Sequence, residues 1–420
     1  MVEQFQAPKG THDILPPESY RWVKLVASFA QVMNRAGYGL VQSPMFEDVG
    51  VFQRLGEGTE VVRKEMYDFY DKGDRHLALR PEGTASVVRA FNQYQPTTPW
   101  KVWYVTPCFR YEEPQAGRFR QHHQVGAEAV GSADPDLDVE VIATQHDFYQ
   151  SLGLSSLSLR LNSMGSADDR RTYTEYLAGW LNQRLDDLDE ADRLNVAAHP
   201  LRVLDSKRER TVQATADVPC ITDFLCADAA EHFSRVQAGL QALGVAYEVD
   251  TRLVRGLDYY TYSTWEFAAG GLSSAQNAVG GGGRYDGLAE SLGGKRVSGV
   301  GFGAGIERIL LAADAESALE DASANLDVFV VDITGGDVGR DITFELRRHG
   351  ISADRAFGGR SMKAQMKVAD RSGARLALLV GPDEHAQGMV TLRYLRSEAA
   401  QISLSRVGLA QQLVAVLAQN

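Results

Sequence analysis

The chain has 420 residues, 44% of them hydrophobic and 23% charged, ordinary proportions for a globular protein of two or three domains. Its net charge of −12 argues against a generic polyanion binder, and the charge is uneven: from Leu326 onward 12 Lys/Arg stand against 10 Asp/Glu, leaving +2 there and −14 in the rest. No run approaches the ~20 apolar residues that span a bilayer. The opening Met-Val-Glu-Gln-Phe lacks the basic and apolar segments of a secretory leader, so a cytoplasmic protein without a membrane partner is expected. Cys108, Cys220 and Cys226 have no zinc-ligand spacing and read as reduced thiols.

Pro16-Pro17 precedes an amphipathic helix expected over Glu18 to Ala36, closed by Gly37 as a left-handed cap. Tyr38 to Pro44 reads as a short strand, and Met66 to Tyr70 with His76 to Arg80 as a hairpin about Lys72-Gly73-Asp74. Lys101 to Val105 and Cys108 to Tyr111 are two further strands. Between about 165 and 245 the apolar period becomes helical, with Tyr173, Tyr176, Leu177, Trp180 and Leu181 on one face, as in an inserted helical module. Strand signals return from Tyr247, through Thr261 to Phe267 and Val279 to Tyr285, and a helix begins near Gly305. Ala312 to Asn325 has the composition of a linker. Beyond it Asp327 to Val331 and Leu376 to Val380 are buried-type strands of a compact α/β domain.

Polar chemistry concentrates first in Phe109 to Gln124. Arg110, Arg118 and Arg120 offer forked donors to phosphate, and Glu112 an acceptor for an exocyclic amine, although a solvated charged hairpin has the same composition. His122-His123 invites a metal, but adjacent strand residues face opposite ways and no third ligand has suitable spacing, so no metal site is expected. Gly299-Val300-Gly301-Phe302-Gly303-Ala304, with Glu320 downstream, satisfies a dinucleotide fingerprint, and with it a dinucleotide-dependent oxidoreductase, but lies outside any βαβ unit. Gly280 to Gly283 lacks a P-loop ending and reads as close backbone approach. Leu253 to Tyr260 crowds an arginine, an aspartate and two tyrosines around one glycine. Arg360, Lys363, Lys367 and Arg371 share one face of a helix and Met362, Met366 and Ala369 another; the basic face is either solvated or RNA-facing.

Together these segments resemble the histidyl-tRNA synthetase family, of bacterial type, over essentially the whole chain. Arg80-Pro81-Glu82-Gly83-Thr84 resembles its amino-acid loop, Gly37 to Pro44 class II motif 1, Phe109 to Gln124 motif 2 and Gly301 to Arg308 motif 3. Leu253 to Tyr260 and Gly282 to Gly287 resemble the two histidine-specific signatures. The resemblance implies an α+β fold: a class II catalytic domain over 1–320, built on a mainly antiparallel sheet flanked by helices and interrupted by a helical insertion at 165–245. A C-terminal α/β anticodon-binding domain at 326–420 follows. It implies a histidine–tRNA ligase that forms histidyl-adenylate from L-histidine and ATP, with Mg²⁺ accompanying ATP, and then charges tRNA(His). The alternative is the related regulatory subunit of histidine biosynthesis, which typically lacks the C-terminal domain and parts of the ATP site.

Residue by residue, the resemblance assigns catalysis to Arg255 and Arg110. It assigns ATP to Arg110, Glu112, Arg118, His122 and Arg308. Histidine falls to Glu82, Thr84, Arg110, Gln124, Glu128, Arg255, Tyr259, Tyr260 and Tyr285, and tRNA to Gln115, Arg120, Lys363 and Lys367. A homodimer through the motif 1 region is implied. Two positions depart from the family: Glu113 replaces a usual arginine near the tRNA acceptor end, and His122 replaces the phenylalanine that stacks on adenine.

Overall fold

The computed structural model describes residues 5–54, 64–255, 259–272, 277–319 and 326–418. The chain forms two compact units, Met1–Glu320 and Asp321–Asn420. Among the described residues no helix is long and apolar enough to cross a membrane.

In the first unit the strands in chain order are β1 (Gly39–Leu40), β2 (Phe46–Asp48), β3 (Asp68–Tyr70), β4 (His76–Leu79), β5 (Trp100–Phe109), β6 (Gln121–Val130), β7 (Leu157–Ser163), β8 (Glu248–Val249), β9 (Thr261–Ala269), β10 (Ala278–Arg284) and β11 (Gly299–Gly305). Eight of them make one sheet in the order β1-β5-β6-β11-β10-β9-β7-β8. Its inner pairs are antiparallel, while β1 and β8 join the edges in parallel. A three-stranded sheet, β2-β4-β3, contains the expected hairpin, with Tyr70 opposite His76.

The helix Glu18–Arg35 buries Leu25, Phe29 and Met33, one turn apart, and Gly37 at φ +78° turns the chain out of it. Of the strand expected over Tyr38 to Pro44, Gly39–Leu40 forms a strand, against Val102 and Trp103, and Val41 adds one backbone bond to Trp103 O (2.9 Å). The two strands expected around Pro107 are one, Trp100–Phe109. Pro107 is tolerated because β1 covers β5 at Val102 and Trp103 and leaves its far half an edge. The helices Pro135–Ser151, Ala227–Ala242 and Ile306–Ala315 join Glu18–Arg35 around one apolar cluster that includes Phe29, Phe148, Leu240, Trp265, Phe302 and Ile309.

The helical stretch between 165 and 245 has two destinations. Tyr173, Leu177, Leu181, Leu188, Val203 and Ile221 close a core of their own, whereas Phe233, Val236 and Leu240 of the last helix pack into the main core. The segment read as a linker from Ala312 is still helical to Ala315; its residues 320–325 lie outside those described.

The second unit has β12 (Val328–Asp332), β13 (Ala353–Arg355), β14 (Leu376–Val380), β15 (Met389–Tyr394) and β16 (Ile402–Ser405), in the order β13-β12-β14-β15-β16. The first three are parallel, and the unbroken apolar runs of β12 and β14 follow from helical cover on both faces. Met362, expected on the apolar face of its helix, is 39% exposed, because it sits at the first helical position beyond the reach of the core that takes Met366 and Ala369.

One buried ion pair locks the sheet to its helices. Arg284, at the end of β10, is 1% exposed and pairs with the fully buried Asp138; it also donates to Ser132 O (2.9 Å) and Asp134 O (3.2 Å) at the start of Pro135–Ser151. Leaving Asp138 buried without this partner is costly. Arg284→Met is expected to lower the unfolding free energy by about 3–5 kcal/mol in urea titration, since neither partner can reach water instead.

Candidate active site

A cleft of about 720 Å³ is lined by Arg110, Glu112, Arg118, His122, Arg255 and Arg308, together with Gln124 and Glu307. Strands β5 and β6 form one long hairpin whose loop, from Arg110 to Arg120, carries three of these groups, Arg110, Glu112 and Arg118, with His122 and Gln124 following on β6. Gln115 and Arg118 exchange backbone hydrogen bonds across its tip. Arg110 donates from Nε to Pro81 O (2.9 Å), and its Nη1 stands 3.7 Å from Glu112 Oε1, while Arg118 Nε lies 3.3 Å from Glu112 Oε2. Glu112 Oε2 is buried and has no hydrogen-bond partner among the described residues. Arg308, one turn into its helix, donates to Ala278 O (2.9 Å) and Gly117 O (3.4 Å). Burial, then the nearby Arg118, pushes its pKa down against the pull of Glu112. Such a crowd of guanidinium groups favours a polyanion.

His122 and His123 do point apart. His122 faces the cleft, where burial and then Arg110 hold its imidazole well below the usual range, so the ring is neutral at pH 7. His123 contacts Glu307 Oε1 through Nδ1 (2.8 Å) and meets Trp22 edge-on. Glu307 also accepts from the His123 backbone at 3.0 and 3.1 Å, pinning the helix that carries Arg308 to β6.

Arg255 ion-pairs with Glu266 of β9, its guanidinium lying against the backbone of β10: a Cβ on Gly281 would stand 3.0 Å from Arg255 Cζ. Burial works against the charge, but Glu266, with Tyr260, Tyr259 and Asp205 adding to it, outweighs burial and holds the Arg255 pKa above the ordinary value. Its Nε is buried and without a partner among the described residues, so one donor of the fork is uncommitted. Gly256, Leu257 and Asp258 of this run lie outside the described residues.

Glu82, Thr84, Glu128, Tyr259, Tyr260 and Tyr285 are brought together behind this cleft, forming a closed cluster instead of lining it. Glu82 accepts from the backbone N–H of Thr84 and of Ala85, both at 2.7 Å, and so caps the helix Thr84–Tyr94. Glu128 is fully buried. It accepts from Thr84 Oγ1 (2.7 Å), Tyr285 OH (2.6 Å) and Tyr104 OH (3.4 Å). Burial pushes its pKa up to about 8 despite these bonds. Its carboxylate occupies the space a Cβ on Gly301 would need, 1.8 Å from Oε2. Gln124 stands on the cleft side, accepting from Cys108 Sγ at 3.4 Å.

Of the remaining predicted residues in the first unit, none lines the cleft. Gln115 is at the exposed loop tip, and Arg120 stacks its guanidinium 3.8 Å over Tyr111 while donating to Glu112 O (3.1 Å). The divergent Glu113 is exposed and paired with Lys9 at 2.9 Å. In the second unit Lys363 and Lys367 are exposed, one turn apart on the helix Met362–Arg371; Arg360 precedes it.

The glycine run 299–304 is an interior antiparallel strand, not a strand-to-helix turn, which removes the dinucleotide reading; Glu320 lies outside the described residues. Among the described residues no three His, Cys, Asp or Glu side chains gather as a metal site.

A sequence-family model of histidyl-tRNA synthetase matches residues 10–309, and one of the anticodon-binding domain matches 327–415. The chain belongs to the histidyl-tRNA synthetase family. It is 46% identical to the histidine–tRNA ligase of Rhodococcus erythropolis, covering 96% of each chain, and 44% identical to that of Mycolicibacterium vanbaalenii, covering 99% of each. The crystal structure of apo S. aureus histidyl-tRNA synthetase matches with a TM-score of 0.81 at 34% identity, over 98% of this chain and 100% of that one. Full-length similarity to ligases, with the anticodon-binding domain present, favours the ligase branch of the family over the regulatory one.

Sequence reasoning missed Tyr104, Glu266 and Glu307. Tyr104 is one aromatic in an alternating strand, and Glu266 one acid in a β-rich run; the alternation marks their faces but not what those faces meet. With a folded-state pKa near 8 against 4.5 unfolded, Glu128 binds its proton more tightly in the native state. Its contribution is therefore full below about pH 4.5 and fades as pH rises through 8. Glu128→Gln is expected to flatten the decline of stability between pH 5 and 8.5 in urea melts; an unchanged slope would place the titration elsewhere.

Proposed function

We propose that this member of the family is a histidine–tRNA ligase: it joins L-histidine to AMP at the expense of ATP, releases pyrophosphate, and transfers histidine to the 3′ end of tRNA(His). The observation that carries the reading is the Arg255 guanidinium, held by Glu266 in a cleft that also presents Arg110, Arg118 and Arg308. The histidine carboxylate attacks the α-phosphorus in line, so no protein nucleophile is required. The work of the site is alignment and stabilisation of charge developing on the phosphoryl oxygens. Arg110 and Arg255 bear on the α-phosphate, Arg118 and Arg308 on the outer phosphates. Glu112, ion-paired to Arg110 and Arg118 but with Oε2 free of hydrogen bonds among the described residues, accepts from the adenine amine, and the neutral His122 ring stacks on the base. Mg²⁺ enters with ATP as part of that substrate.

Histidine is held through its α-amino group by Glu82, Thr84 and Gln124 and through its ring by Glu128, Tyr259, Tyr260 and Tyr285. Entry of the imidazole replaces hydroxyl contacts to Glu128. An apolar competitor would leave that buried carboxylate group short of partners, a penalty that supports strong discrimination. Gln115 and Arg120 face the acceptor end of tRNA. Glu113, being anionic, does not make the phosphate contact of the usual arginine there. Lys363 and Lys367 contact the anticodon arm. Pairing of two copies through the region 37–44 and a cytoplasmic location complete the proposal; exposed Leu40, Met45 and Phe46 support the former.

Histidine-dependent ATP–pyrophosphate exchange tests the reading: folded protein with no exchange would sink it. Arg255→Ala is expected to lower kcat for exchange by about 10²–10³ with little change in the KM for histidine; a loss confined to KM would show that Arg255 serves binding. Exchanging Lys363 and Lys367 together for glutamate is expected to impair aminoacylation at least tenfold through the KM for tRNA and to spare exchange. Equal loss of both activities would remove these lysines from the RNA surface.

A further inference from the structure

Arg255 hangs from a short segment, and the groups that hold this segment are not those of the cleft. Asp250 donates from its backbone N–H to Leu161 O on β7 (3.0 Å), and its carboxylate accepts from the Arg252 N–H at 3.1 Å. From one side the buried Asn162 donates to Thr251 O (3.3 Å) and Leu253 O (3.1 Å). From the other, Arg252 reaches into the helical insertion. Its Nη1 donates to Thr215 O (2.9 Å), and its Nη2 to Thr215 Oγ1 (2.9 Å) and Leu204 O (3.1 Å).

These acceptors are helix ends. Leu204 closes the helix Pro200–Leu204, and Thr215, fully buried, is the C-cap of Glu209–Ala214. A cation at a C-terminus satisfies carbonyls that have no partner within their helix and lies at the negative end of its dipole. One guanidinium thus gathers two helix ends of the insertion and attaches them three residues before Arg255. Contact is continuous around this staple. Val254, Tyr259 and Tyr260 pack on the insertion core, and Leu204, Asp205 and Lys207, from the turn between the two helices, line the catalytic cleft with Arg252 and Arg255. Asp205 is close enough to Arg255 for each to shift the other's ionisation.

We propose that Arg252 is a positioning residue for Arg255, and that through it the helical insertion is a working part of adenylate formation even in the absence of tRNA. The inference rests on Arg255 acting at the α-phosphate. Its physical content is that a guanidinium acting on a transition state must be placed to within a fraction of an ångström, and Arg252 and Asn162 clamp the backbone that places it from opposite sides. At the centre of the histidine cluster Glu128 is held by Thr84, Tyr104 and Tyr285, none of them on the clamped segment, and of the cluster only Tyr259 and Tyr260 follow that segment, so loosening the clamp affects the rate before it affects histidine affinity.

The test is ATP–pyrophosphate exchange by the full-length chain, without tRNA. Arg252→Ala is expected to lower kcat by about 10- to 100-fold with the KM for histidine within about twofold of wild type. Arg252→Lys, which keeps the charge and part of the reach to the carbonyls, is expected to recover much of the loss. Thr215→Val removes one acceptor on the insertion side while keeping the shape, and is expected to cost about two- to fivefold in kcat. Urea melts accompany each variant, and if Arg252→Ala does not fold, the other two carry the test. Folded variants with wild-type kcat, or losses confined to the KM for histidine, would overturn the proposal. An inactive wild-type chain would instead overturn the ligase reading on which it rests.

Discussion

The constraint on which the rest depends is the burial of a carboxyl group, Glu128, in the middle of an antiparallel sheet. A group so placed must be hydrogen-bonded or protonated, and here it is surrounded from three directions: Thr84 at a helix start, Tyr104 on the neighbouring strand, and Tyr285 beyond the end of β10. Satisfying it fixes where those elements meet. Gly301 leaves room for it across the strand, which is why a glycine run that looks like a nucleotide loop is sheet interior instead.

The cleft obeys the complementary rule for positive charge. Arg110, Arg118, Arg255 and Arg308 would repel one another in a water-poor site, and each is tethered by a carbonyl or a carboxylate that leaves part of its fork uncommitted or close to another donor. Such an arrangement is complementary to a polyanion. Preorganisation of this kind costs stability in the free protein and returns it in the bound state. Structural charges are treated differently: Arg284, adjacent to Tyr285 in sequence, is taken up by Asp138, Asp286 and two carbonyls. Within the run Gly282 to Gly287, Arg284 and Tyr285 thus serve different buried carboxyl groups, Asp138 and Glu128.

The helical insertion is more closely joined to the catalytic sheet than its separate core suggests. Its last helix contributes to the main core, and two of its short helices end on Arg252. A segment that reads as an appendage along the chain is, in space, one wall of the cleft.

Several features are legible in the order of residues: the amphipathic helix and its glycine stop, the hairpin at Lys72–Asp74, the buried strands of the C-terminal unit, and the grouping of Arg110 to Gln124 in one hairpin. These are set by periods of 3.6 and 2 and by local turn chemistry, which operate over a few residues. The resemblance of motifs pointed to Arg255, Arg308 and Glu128 as companions. Only the tertiary structure decided that Glu266 holds Arg255, that Glu307 ties its helix to His123, that Tyr104 shares Glu128, and that Arg252 ends on Thr215 and Leu204. Each of these pairs joins residues from separate elements, and a contact of that kind depends on how strands are ordered and stacked, about which local periodicity carries no information.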